Sequence, residues 1–168
     1  LALSPNSTYF FSVQARNMSG IMTDFVSLGS TSTLAAVPAP APVPFAGTAT
    51  NGLTVTWLTN GNPVSVTTYT VVVSTEAVYP NANTGNVTIL STQPAGGLPT
   101  ATFTGLVANT IYFAFASAQN WNGLQTAYAL LGSTSTLALP PGVAAPTYAL
   151  VNASSATFSW LPNGNPVD

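Results

Sequence analysis

The sequence contains no cysteine and no histidine, and only 2% of its 168 residues are charged. The absence of cysteine excludes a disulfide framework and a thiolate metal site. A single Lys or Arg argues against a nucleic-acid partner, because binding phosphates requires several cations. Apolar runs are interrupted by polar residues or proline well before the roughly 18 residues that a membrane-spanning helix needs. The remaining possibility is a nearly neutral chain whose hydrophobic residues, at 46%, suffice for a core.

Residues 53–73 predict two strands joined by a tight turn. Apolar residues alternate with threonines around Trp57 in the first segment and around Tyr69 in the second, so each segment offers one apolar face. Between them lies the motif Asn-Gly-Asn-Pro at residues 60–63. Gly and Asn tolerate positive φ and Pro fixes its own φ, so a strand does not run through these residues. We therefore place Trp57 and Tyr69 in a structural core.

The same motif occurs again 103 residues later, at residues 163–166, and Trp160 precedes it as Trp57 precedes the first copy. At this offset about two fifths of the aligned positions are identical, and residues 28–35 match 131–138 without a change. Self-similarity at a fixed period indicates a repeat architecture. The sequence therefore predicts a tandem array with a period of 103 residues.

Two Pro-rich segments divide the chain into units. Residues 35–44 and 139–146 are rich in proline and are predicted to be extended, semi-rigid linkers. The unit 1–37 is interpreted as the C-terminal part of one module, 38–140 as a complete module, and 141–168 as the N-terminal part of the next. Because each partial unit holds half a core, we expect the missing strands to come from the same polypeptide beyond these residues.

The complete unit is predicted to be all-β. Its seven strands are expected at 43–49, 52–59, 67–75, 86–91, 100–104, 110–119 and 125–137. Seven short alternating strands in about 100 residues indicate a two-sheet sandwich.

A spaced pattern of apolar, Pro, Tyr, Asn and Gly residues near the N-terminus carries a family resemblance. Its members are Leu3, Pro5, Tyr9, Phe11, Val13, Ala15, Asn17 and Gly20. The second copy keeps Leu106, Tyr112, Ala118, Asn120 and Gly123, with Ala108 in place of the proline. With Trp57 and Trp160 on the early strands, the chain resembles the fibronectin type III family from end to end.

The resemblance implies a sandwich of three plus four strands. It also implies a "tyrosine corner", in which the hydroxyls of Tyr9 and Tyr112 bond to the backbone a few residues upstream. Tyr9, Tyr112 and Trp160 are accordingly assigned, like Trp57, to structural cores.

Catalytic chemistry has little to draw on in this chain. The charged residues are Arg16, Asp24, Glu76 and Asp168. No aligned charged position recurs between the copies, and the chain has no His or Cys to serve as base or nucleophile. We expect no enzyme activity, no cofactor and no metal site.

The sequence offers two classes of candidate surface site. Asn-x-Ser/Thr triplets make Asn6, Asn17, Asn86 and Asn152 possible glycosylation sites, although the abundance of Asn, Ser and Thr explains such triplets by chance. The second class is an interaction surface formed by aromatic side chains.

Three aromatic residues are assigned to that interaction surface. Trp121, in a polar loop, is predicted either to stack on a sugar or a neighbouring module or to fold back over the sandwich edge. Strand alternation turns Phe113 and Phe115 outward, as a contact patch; the alternative is a bulge that reverses the faces.

These observations predict a non-enzymatic structural protein. Its tandem modules would build an extracellular or cell-surface fibre, stalk or filament, and adhesion is one use that such an assembly could serve. The expected partners are other copies of the repeat and glycans. An accessory spacer or carbohydrate-binding region of a secreted carbohydrate-active enzyme is the alternative, and flanking sequence would discriminate between them.

Overall fold

A computed structural model describes residues 2–79, 87–92 and 97–166, with 87–92 described by their backbone alone. Within those ranges the chain is all-β, without a helix. No helical segment there has the length and hydropathy needed to cross a membrane. The strands are β1 (Thr8–Val13), β2 (Val26–Ser32), β3 (Ala39–Ala46), β4 (Gly52–Leu58), β5 (Thr68–Ser74), β6 (Val87–Thr92), β7 (Thr100–Thr104), β8 (Ile111–Gln119), β9 (Ala129–Ser135), β10 (Gly142–Ala149) and β11 (Thr157–Leu161).

Strands β3 to β9 form two sheets in a sandwich-like arrangement. One has the order β3-β4-β7 and the other the order β6-β5-β8-β9, and every pairing is antiparallel. The core between them draws on both sheets, with Trp57 on β4, Phe103 on β7, Tyr69 on β5 and Tyr112 on β8 all buried. Alternation explains which residues face this core, since successive side chains of a strand point to opposite faces.

The turn between β4 and β5 adopts the backbone predicted for it. Asn60 has φ 53° and Gly61 has φ 85°. The second copy of the motif is similar, with φ 54° at Asn163 and 85° at Gly164. Positive φ is tolerated by Gly at no steric cost and by Asn more readily than by most residues.

The first Pro-rich segment is not the linker that the sequence analysis predicts. The expected strand 43–49 begins earlier, at Ala39, so most of residues 35–44 belongs to β3. Proline is tolerated there because β3 is the outer strand of its sheet, and an outer strand does not need every N–H for pairing. Similarly, β10 runs through most of 139–146.

The remaining strands form two separate two-stranded sheets, β1-β2 and β10-β11. Their apolar side chains are largely exposed: Phe10 is 84% exposed and Trp160 is 62% exposed. The core predicted around Trp160 is not formed among the described residues. Its strand and turn form as expected, but among the described residues no second sheet lies over it.

Candidate interaction surfaces

Asn6 lies where the β1-β2 sheet meets the sandwich, and it is fully buried. Its backbone N–H donates to the Leu34 carbonyl at 3.0 Å. Its side-chain Nδ2 donates to Thr67 Oγ1 at 2.9 Å, and its Oδ1 accepts from the backbone N–H of Trp121 at 2.9 Å. One carboxamide thus joins residues distant in sequence, and both of its polar atoms are satisfied, as burial requires.

The loop between β8 and β9 adds further bonds to this junction. Asn120 Nδ2 donates to the Thr33 carbonyl at 3.1 Å, while its Oδ1 accepts from the N–H of Leu124 at 2.8 Å. Asn122 Nδ2 lies 3.3 Å from Thr31 Oγ1. The loop is therefore shaped by the Asn120 oxygen and attached to the end of β2 by two amides.

Asn62, in the β4–β5 turn, holds the segment between β2 and β3 in place. Its Oδ1 accepts from the Ala36 N–H at 2.7 Å, and its Nδ2 donates to the Ala36 carbonyl at 2.8 Å. Nearby, Asn60 Nδ2 donates to the Val37 carbonyl at 3.0 Å. We call this set of bonds the asparagine clamp. Because Asn62 pairs with both polar groups of one residue, it fixes the backbone much as a strand partner would.

The asparagine clamp occurs twice, at an offset of 103 residues. Asn165 Oδ1 accepts from the Leu139 N–H at 2.7 Å and its Nδ2 donates to the Leu139 carbonyl at 2.8 Å. Asn163 Nδ2 donates to the Pro140 carbonyl at 2.8 Å. The sequence analysis assigned these asparagines to the turn alone. The available signal was the retention of Asn at both positions in both copies.

An open cleft of about 210 Å³ lies beside the clamp. It is lined by Leu34, Ala35 and Val37 on one side and by residues 124–127 on the other. No ionisable side chain lines it. Across the described residues, no three His, Cys, Asp or Glu side chains come together in a metal-binding group.

Phe115 points away from the core, as predicted, but it is not available as an interaction surface. It pairs with Val72 across the sheet and is only 3% exposed. Tyr79 covers it, with ring centroids 5.8 Å apart, and Tyr79 in turn contacts Tyr128 edge-on at 4.8 Å. Burial, with Tyr128 as a lesser cause, raises the pKa of Tyr79. Strand alternation predicts the face on which Phe115 lies but not its contact with Tyr79. Phe113, on the same face, is half-buried.

Trp121 keeps most of its side chain in solvent. The residue is 59% exposed, while its backbone N–H is the donor to Asn6. The residue is therefore part of the junction through its backbone, and its ring remains accessible for contact.

The four Asn-x-Ser/Thr sites differ in accessibility. Asn6 is buried with both side-chain polar atoms bonded, so its assignment as a glycosylation site is wrong for this folded structure. Asn17 and Asn152 are exposed. Asn86 lies outside the described residues.

The tyrosine hydroxyls form the backbone contacts that the family resemblance implies. Tyr9 Oη accepts from the Ser4 N–H at 2.8 Å, and Tyr112 Oη accepts from the Val107 N–H at 3.1 Å. The second bond forms although Ala108 replaces the proline of the first copy. Tyr112 is buried, whereas Tyr9 is half-buried because the described residues place no second sheet over β1.

Trp57 and Tyr69 stack edge-on in the core, with ring centroids 5.5 Å apart. Trp57 Nε1 and Tyr69 Oη are buried without a hydrogen-bond partner among the described residues. Burial raises the pKa of Tyr69. The side chains of Asn62 and Thr67 lie near its hydroxyl, but neither meets the geometry of a hydrogen bond.

The sequence matches no known protein-family profile and no curated protein. Among solved structures, it is similar to the FN1–FN3 domains of chicken CNTN1, with 18% identity and a TM-score of 0.43, over 80% of this chain and 44% of that one. It is also similar to the sensor domain of the anti-sigma factor RsgI4 in Pseudobacteroides cellulosolvens, with 18% identity and a TM-score of 0.38, over 61% of this chain and 94% of that one. Likenesses at this level identify neither a family nor a function.

Proposed function

We propose that the chain is a stretch of a non-enzymatic structural protein, in which fibronectin type III-like sandwich modules follow one another in a fibre, stalk or surface filament outside the cell. The mechanism is mechanical. Each module is a stable unit, and the connection between modules fixes their spacing and direction.

The recurrence of the asparagine clamp is the observation that carries this proposal. A flexible connection would let successive modules rotate freely, whereas Asn62 bonds both polar groups of Ala36 and Asn165 does the same at Leu139. A segment whose backbone is bonded to the following turn has few conformations left. The same set of bonds at the same spacing is what a stiff array of similar units requires.

The low charge supports lateral association of such an array. With 2% charged residues, neighbouring filaments repel each other very little. Hydration then depends on the abundant Ser, Thr and Asn side chains.

Intact-mass measurement and electron microscopy of the native protein test the proposal. We expect a mass well above 17.1 kDa and filaments whose beads repeat along the axis. A native chain near 17.1 kDa with Leu1 and Asp168 as its termini would contradict it. A long chain with a carboxylate-rich catalytic domain and few repeats would favour the carbohydrate-active alternative.

A further inference from the structure

Asn6 and Asn109 occupy the same position in the two copies, and their backbones are arranged alike. Both have positive φ, 44° and 49°, and both donate their N–H to a leucine carbonyl, that of Leu34 at 3.0 Å and that of Leu137 at 3.1 Å. The following residue repeats the match, since Thr110 N–H donates to Thr136 Oγ1 at 3.1 Å. The end of the sandwich at Asn109 is therefore built like the junction at Asn6.

The two positions differ in what covers them. Asn6 is buried, with its carboxamide bonded to Thr67 and Trp121 of the sandwich. Asn109 is exposed, and its side chain makes no hydrogen bond within the described residues. Asn109 thus has positive φ and a free carboxamide on an exposed surface, whereas the equivalent surface around Asn6 is covered by the β8–β9 loop.

The complementary half is also present and uncovered at the other end of the chain. In the β1–β2 loop, Asn17 Oδ1 accepts from the Ile21 N–H at 2.8 Å, which reproduces the bond of Asn120 to Leu124 at the same distance. The loop is thus shaped before any partner arrives. Met18, which aligns with Trp121, is fully exposed.

We infer that the surface formed by Asn109 and Thr134 is a docking site for the β8–β9 loop of a following copy of this repeat. This inference rests on the proposed array and names how its units contact each other. The incoming loop supplies a backbone N–H to Asn109 Oδ1. One of its asparagine amides reaches Thr134 Oγ1, as Asn122 reaches Thr31. Thr136, which aligns with Thr33, is 2% exposed and is not part of the contact.

A chain extended with its own sequence tests the docking site. Since Asp168 aligns with Ser65, residues 1–168 followed by residues 66–140 complete a second copy of the sandwich. We expect the backbone amide of the appended copy's Trp121 to be protected from hydrogen exchange to the same degree as that of the original Trp121. Asn109→Gly should accelerate exchange of the appended amide about tenfold, the effect of losing one hydrogen bond.

Matched controls separate the contact from the fold. Glycine adopts positive φ without strain, so Asn109→Gly removes the carboxamide alone. Asn6→Gly should accelerate exchange at the original Trp121 and leave the appended one unchanged. In the 168-residue chain, Asn109→Gly should not alter exchange at Trp121.

Two outcomes overturn the inference, and they differ in what else they contradict. An appended copy that folds but leaves its Trp121 amide unprotected contradicts the docking site and leaves the proposed array standing. An appended copy that stays unfolded contradicts both, because the repeat would then not build a module.

Discussion

Trp57 and Trp160 each precede a copy of the Asn-Gly-Asn-Pro motif, yet Trp57 is fully buried and Trp160 is 62% exposed. Around both, the local structure is the same: a strand paired with the Pro-rich strand before it, a turn with two positive-φ residues, and the asparagine clamp. The difference is that β5 and β8 lie opposite Trp57, whereas the described residues place no sheet over Trp160. The local structure therefore follows from the residues in and around the motif, whereas burial of the tryptophan depends on residues distant in sequence.

The pair β1 and β8 teaches the same lesson. Both strands follow an asparagine of positive φ, and both carry a tyrosine whose hydroxyl returns to the backbone. Phe11 is 45% exposed at the position where Ala114 is fully buried. Among the described residues the apolar face of β1 is therefore left exposed, whereas the matching face of β8 is covered by the other sheet of the sandwich.

Truncating the two tryptophans should give the largest contrast. In the 168-residue chain, Trp57→Ala should lower the free energy of unfolding by about 3–5 kcal/mol, because it removes the largest buried side chain of the core. Trp160→Ala should change it by less than about 0.5 kcal/mol, as for most exposed positions. Urea unfolding followed by far-ultraviolet circular dichroism measures both, since it does not depend on the tryptophan that each variant removes. Equal effects in the two variants would show that burial has been assigned wrongly.

The two copies of the asparagine clamp provide a contrast of intermediate size. Asn62→Ala should destabilise the sandwich by about 2 kcal/mol, because it leaves the Ala36 N–H and carbonyl without their partner. Asn165→Ala should leave unfolding of the sandwich unchanged, since its bonds lie beyond β9. Urea midpoints of the two variants, with Asn165→Ala as the control, decide this. A shift of the same size for Asn165→Ala would mean that the C-terminal sheet unfolds together with the sandwich.

The smallest contrast concerns two buried tyrosines of one core. Tyr112→Phe should cost about 1 kcal/mol, because it removes the bond to Val107. Tyr69→Phe should be neutral or slightly stabilising, because the hydroxyl it removes has no hydrogen-bond partner. Thermal unfolding at neutral pH compares them. A larger loss for Tyr69→Phe would indicate a partner for that hydroxyl.

The pH dependence of stability checks the same assignment. The pKa of Tyr69 is higher in the folded than in the unfolded chain. Its contribution to stability is therefore complete below the ordinary tyrosine pKa and is lost as the pH rises through the folded value. Tyr69→Phe should accordingly flatten the fall of stability in alkaline solution, whereas Trp160→Ala should not.

The sequence predicted the strands well because their signals are local. Residues 100–104 were placed without error, and the turn at Asn60 followed from the backbone freedom of Asn and Gly. The start of β3 was missed because proline argues against strands in general, and only the position of a strand in its sheet shows whether a missing N–H matters. Edge position is a property of the whole sheet.

The interaction surfaces were less predictable for a related reason. Phe115 was placed on the correct face, but its cover by Tyr79 is a contact between a strand and a loop that alternation does not encode. Asn6 was interpreted as a glycan acceptor from its triplet, although its environment comes from Thr67 and Trp121, far away in the sequence. Repetition was the one signal in the sequence that pointed to such contacts.

The prolines of β3 also bear on how crowded copies of this protein avoid joining into larger sheets. An outer strand with free N–H groups is a template for pairing with another chain, and many proteins block such strands with lysine. This chain has a single Lys or Arg, so positive charge cannot block the outer strand. Pro40, Pro42 and Pro44 remove three donors from one eight-residue strand. In a nearly neutral protein, they protect this edge from pairing with the strand of another chain.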